Sequence, residues 1–74
     1  MHKYDWSNVP AEVNWMATDQ DGWAYGFVGQ PKIRVGLGIW SPIEFVISIP
    51  KESNPFKGDW EKSLEQRPKG ASHE

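Results

Sequence analysis

Thiol nucleophiles and thiolate metal sites are closed to this chain, which has no cysteine. Its two histidines, His2 and His73, stand near opposite ends, where a general base or a metal ligand lacks the held geometry its work requires. Serines occur at positions 7, 41, 48, 53, 63 and 72, and neither histidine is placed to activate one. The nearest pair of carboxylates, Asp19 and Asp21, falls in Asp19-Gln20-Asp21-Gly22. Local hydrogen bonding in a tight turn already accounts for both. The same segment lacks the later oxygen ligands and the bidentate glutamate of a calcium loop. Gly36-Leu37-Gly38 lies inside an alternating apolar run with no helix start after it, so it does not read as a phosphate loop. The sequence therefore predicts no catalytic residue, no metal site and no cofactor.

The charge pattern narrows the partners. The formal net charge is -2, with Lys3 set against Asp5, Glu12, Asp19 and Asp21 in the first thirty positions. Lys32 and Arg34 outweigh Glu44 in residues 31–50, and the remainder balances. No basic stripe runs along the chain, so nucleic acid is not the expected partner. No apolar run approaches the roughly 20 residues of a membrane span, and no signal peptide is evident. Cytoplasmic residence is the expectation.

The elements that must position any site are read from periodicity. Val13, Trp15 and Ala17 share one side of a strand over 12–18, and Asp19 to Gly22 supplies a turn. Trp23, Tyr25 and Phe27 then alternate with Ala24, Gly26 and Val28. After Gly29-Gln30-Pro31-Lys32, residues Ile33, Val35, Leu37 and Ile39 alternate with Arg34, Gly36, Gly38 and Trp40. Ser41-Pro42 breaks this run, residues 43–49 resume it, and Pro50 ends it. In Asp59 to Glu65, Asp59 reads as an N-cap and Trp60 and Leu64 lie on one side of a short helix. The predicted fold is a small β-rich (α+β) domain over 1–68, a three- to four-stranded antiparallel meander with a short C-terminal helix. Residues 69–74 are expected to form a disordered tail.

The two faces of that meander differ. The heavy side would collect Trp23, Tyr25, Phe27, Ile33, Val35, Leu37, Ile39, Ile43, Phe45, Ile47 and Ile49 as the core, with Trp23 and Phe45 as anchors. The other side carries Ala24, Gly26, Gly36, Gly38 and Ser48 beside Val28, Trp40 and Val46. Its small residues suit strong coiling of the sheet or close packing of a terminal segment. Two arrangements are open for Trp40, one of five tryptophans in the chain. It can stand as a partner-binding anchor with Arg34, Gly36 and Gly38 around it, or residues 50–68 can fold back so that it packs on Trp60 or Phe56. A sheet edge would also permit a weak homodimer.

Three segments carry a resemblance. Tyr4-Asp5-Trp6-Ser7-Asn8-Val9-Pro10, Trp15-Met16-Ala17-Thr18-Asp19-Gln20-Asp21-Gly22 and Phe56-Lys57-Gly58-Asp59-Trp60-Glu61-Lys62-Ser63-Leu64-Glu65-Gln66-Arg67-Pro68 together resemble small orphan proteins of tailed bacteriophages and prophages. That resemblance implies a non-enzymatic accessory protein that binds and modulates a host protein in the host cytoplasm. It carries no site residues over to this chain. The competing expectations are a minor structural or assembly component of the phage particle and a single-stranded nucleic-acid-binding module built on Trp23, Tyr25 and Phe27.

Overall fold

The structure is a computed structural model that describes residues 2–70. Its centre is a four-stranded antiparallel sheet in the order β5-β2-β1-β6, and a separate two-stranded hairpin, β3-β4, packs beside it. Strands β1 (Trp15–Thr18) and β2 (Ala24–Phe27) form the middle of the sheet. The turn between them closes through Gly22 N–H donating to Asp19 O at 2.9 Å and Asp19 N–H donating to Trp23 O at 2.9 Å. Strand β5 (Ile47–Ile49) flanks β2, and β6 (Glu65–Gln66) flanks β1. The hairpin pairs β3 (Lys32–Arg34) with β4 (Ile39–Ser41) across a 3-10 turn at Val35–Leu37.

Both faces of the central sheet are covered, which gives the molecule two small cores. On one face Met16, Ala24, Ile47 and Ile49 receive Tyr4, Trp6, Val9 and Val13 from the irregular N-terminal segment. Gly26 makes that approach possible. A β-carbon built there would lie 2.9 Å from both Val13 Cγ1 and Ile47 Cγ1, closer than real side chains pack. On the opposite face Ala17 and Phe27 pack with Trp40 of the hairpin, and Trp15, Tyr25, Ile33, Trp60 and Leu64 surround them.

Side chains fasten the irregular segments in place of long ladders. The Trp6 indole N–H donates to Glu65 Oε1 at 2.8 Å, and the Lys3 ammonium donates to the carbonyls of Lys62 and Leu64 at 2.8 and 3.0 Å. Arg67 lies 4.8 Å over the Trp6 ring and donates to the carbonyls of Val13 and Pro10 at 2.8 and 2.7 Å. Beneath them runs a buried polar chain whose direction follows from its last member. The Ser63 carbonyl only accepts, so Tyr4 O–H donates to it at 2.9 Å. Thr18 O–H then donates to the Tyr4 oxygen at 2.8 Å, and Thr18 Oγ1 accepts from Asn54 Nδ2 at 3.0 Å. Such aligned bonds strengthen one another in a low-dielectric interior. Burial, against these bonds, pushes the Tyr4 phenol up to about 12.

Three expectations are corrected. The short C-terminal helix is absent: the segment makes one 3-10 turn, Trp60–Lys62. Asp59 does cap it, accepting from Glu61 N–H at 3.0 Å. The chain then leaves the turn to pair Glu65 and Gln66 with β1, because sheet pairing and docking outweigh the marginal stability of so short a helix. The single meander is replaced by a sheet and a hairpin, since residues 33–40 turn back on themselves. Gly38, at φ 70, supplies the left-handed residue that ends the Val35–Leu37 turn, a conformation costly to residues with a β-carbon. The heavy face is likewise divided. Trp23 is 39% exposed and Phe45 46% exposed, so neither is a core anchor, and Val35, Leu37 and Ile43 are also exposed. Of the expected tail, residues 71–74 lie outside the described residues, as does His73.

Candidate functional site: an apolar ridge beside an acidic aromatic cleft

The chain leaves β4 through a cis Ser41–Pro42 bond and does not rejoin the sheet until Val46 N–H donates to Gly26 O at 2.7 Å. Residues 42–45 therefore travel across the outside of the molecule. Ile43 is 74% exposed, and Phe45, Val46 and Val28 are also exposed. Phe45 is held by its neighbour: its ring centroid lies 4.7 Å from that of Tyr25, with the planes tilted by 49°. This is the geometry of a favourable aromatic pair.

Phe45 and Phe27 separate two depressions. On one side a groove of about 520 Å³ runs past Val28, Gln30, Pro42 and Val46. On the other, a cleft of about 90 Å³ is lined by Asp19, Tyr25, Phe27, Trp40, Ile43 and Phe45. The cleft is much smaller than the roughly 300–1,000 Å³ pockets that enclose drug-sized ligands. It has room for the head of one side chain.

Asp19 is the charged member of that lining. It follows β1, and its carboxylate reaches across to β4, where Oδ1 accepts Trp40 N–H at 2.8 Å. Burial raises the carboxyl above the usual aspartate value, the Trp40 bond opposes this, and the negative charge of Asp21 adds to it. Tyr25 responds to the same charges: burial, then Asp19 and Asp21, hold its hydroxyl above the ordinary phenol value. The cleft thus has aromatic walls and a single carboxylate in its lining.

The four sequence-predicted partner residues do not form one surface. Trp40 is 6% exposed, and its indole N–H donates to Trp60 O at 3.3 Å. The segment 50–68 does fold back onto it, so the indole is a core group and not a raised anchor. Gly38 is buried beneath Gln20, whereas Gly36 stands in open space and Arg34 is exposed, with Nε donating to Ser41 Oγ at 3.4 Å. The residues of the cleft and ridge were legible as apolar and aromatic. Nothing in their spacing separated Ile43 and Phe45 from the core, and the turn alone accounted for Asp19. Compared with protein-family models, curated proteins and solved structures, the chain matches none.

Among the described residues, no helix is long and apolar enough to cross a membrane, and no three histidine, aspartate or glutamate side chains gather as a metal site would need.

Proposed function

We propose that this chain is a non-enzymatic binding protein that docks on a partner protein through the ridge of Ile43, Phe45 and Val46, with Val28 at its side. The observation that carries this reading is the exposure of Val28, Phe45 and Val46 along one groove, with Ile43 exposed across Phe45 from it, while both faces of the sheet already have their own cores. Apolar groups grouped on the surface of a small domain characterise interaction sites, and an aromatic group braced by a neighbour is the usual form of an energetic anchor. The resemblance to small phage orphan proteins supports a host protein, met in the host cytoplasm, as the partner. Nucleic acid fits less well, because Phe27 of the aromatic strand is buried in a core and Asp19 and Asp21 place negative charge where phosphates would have to lie.

Affinity capture from a bacterial host lysate tests the reading, using the wild-type chain and an Ile43→Ser/Phe45→Ser/Val46→Ser variant of confirmed fold. A protein retained by the wild type and lost by the variant is the expected result. Equal retention by both overturns the ridge as the docking surface. Stoichiometric recovery of the chain from purified phage particles would replace the host partner with an assembly role.

A further inference from the structure

We propose that the cleft between Tyr25, Phe27, Trp40, Ile43 and Phe45 takes a cationic side chain, the guanidinium or ammonium head of a partner's arginine or lysine, with Asp19 as its counter-charge. The inference rests on the docking reading and assigns chemistry to one pocket of that surface.

Three observations converge on this guest. The first is shape and wall chemistry. Four aromatic residues and Ile43 surround a space of about 90 Å³, and ring faces attract a cation through their quadrupoles, more strongly once water is displaced. The second is the state of Asp19. Oδ1 is engaged by Trp40 N–H, a bond that a neutral asparagine can also accept, though less strongly than a carboxylate, so the hairpin has an acceptor there without the charge. Of the charged groups, Asp21 is the one that shifts the Asp19 carboxyl, while Lys51 and Lys57 line a different cavity that Asp19 and Asp21 also border. A partly desolvated carboxylate that also feels the charge of a second one is a local cost that an arriving cation relieves. The third is continuity. Ile43 and Phe45 belong both to the cleft and to the exposed ridge, so a partner lying on the ridge would have a side chain within reach of the cleft. Charge complementarity then selects a basic guest over an apolar one, as charge at an interface commonly selects partners.

The test needs no knowledge of the partner. The wild-type chain is titrated, by two-dimensional NMR, with N-acetyl-arginine amide, N-acetyl-lysine amide and N-acetyl-leucine amide. Saturable shifts at Tyr25, Phe45 and the Trp40 indole are expected with the two cationic probes in the millimolar range, with no response to the leucine probe. Asp19→Asn, which keeps an acceptor for Trp40 N–H, should weaken the cationic probes at least tenfold without loss of the native spectrum. Phe45→Ala should weaken them severalfold and serves if Asp19→Asn fails to fold. Equal shifts from the leucine probe, or an undiminished response in folded Asp19→Asn, would overturn the proposal. A captured partner retained by Asp19→Asn but lost by the ridge variant would sink this inference alone. Binding of the cationic probes by a wild-type chain that captures no protein would sink the docking reading alone.

Discussion

Asp19 joins two elements through a bond that does not require its charge. Its carboxyl is raised because burial penalises the ionised form more than the Trp40 hydrogen bond favours it. A folded-state value above the unfolded one means that the native state binds the proton more tightly. The contribution to stability is full below the unfolded value and is lost as the pH rises through the folded one. At neutral pH the charge is therefore unfavourable to the isolated fold. Asp19→Asn should leave the urea midpoint at pH 7 unchanged or raised, and its advantage over wild type should shrink as the pH falls to the ordinary aspartate value. A clear loss of stability at pH 7 would show that the charge itself is structural. Tyr4 presents the opposite case, since every polar partner in its chain is buried. Tyr4→Phe leaves the Ser63 carbonyl and the Thr18 hydroxyl without their partner and should cost about 1–3 kcal/mol, read from denaturant unfolding.

At the scale of elements, three glycines that look alike in the sequence do different work, and substitution by alanine should rank them. Gly26 is pressed between Val13, Ile47 and Met16, so Gly26→Ala overpacks a core and should cost about 1–3 kcal/mol. Gly38 combines φ 70 with a clash against the Gln20 side chain, and its alanine variant should lose about 1–2 kcal/mol. Gly36 faces open space at ordinary φ, and Gly36→Ala should stay within about 0.5 kcal/mol of wild type. Thermal melts of the three variants check the order. The same glycines explain what was legible. The turn at Asp19 to Gly22 and the alternation of Tyr25 and Phe27 located β1, β2 and their connection, because both signals are local. The run Ile33, Val35, Leu37, Ile39 has the period of one long strand, but Gly38 admits a left-handed turn that period two cannot reveal. Tyr4, Trp6 and Val9 follow no period, so the arm that covers one face carried no local sign of burial. Val13, expected to share a side with Trp15 and Ala17, instead packs with Met16 on the opposite face because the strand begins only at Trp15. The arm's fastening to Glu65 and Arg67 joins positions more than fifty residues apart, through Trp6 and the Val13 carbonyl. The candidate site was obscured for the same reason. Phe45 looked like a core residue because strand alternation seemed to continue through 43–49, whereas pairing begins only at Val46.

The whole molecule is a sheet held between an N-terminal arm and a hairpin, with its two ends clasped across one edge. Segments 4–10 and 56–68 make this clasp, through Trp6, Glu65 and Arg67, while the ridge at 42–46 lies outside them. Stability should follow the same division. A domain of this size has about 4–11 kcal/mol in total, and Trp40→Ala, which empties the centre of one core, should remove about 3–5 kcal/mol. The central claim is that the ridge is a surface left free for a partner, apart from both cores. Comparing urea unfolding of Ile43→Ser/Phe45→Ser with that of Trp40→Ala tests it most directly. The ridge variant is expected to lose at most about 1.5 kcal/mol, the order of one aromatic pair, while Trp40→Ala is largely unfolded or close to it. A ridge variant that unfolds, beside a Trp40→Ala chain with a wild-type midpoint, would contradict the account.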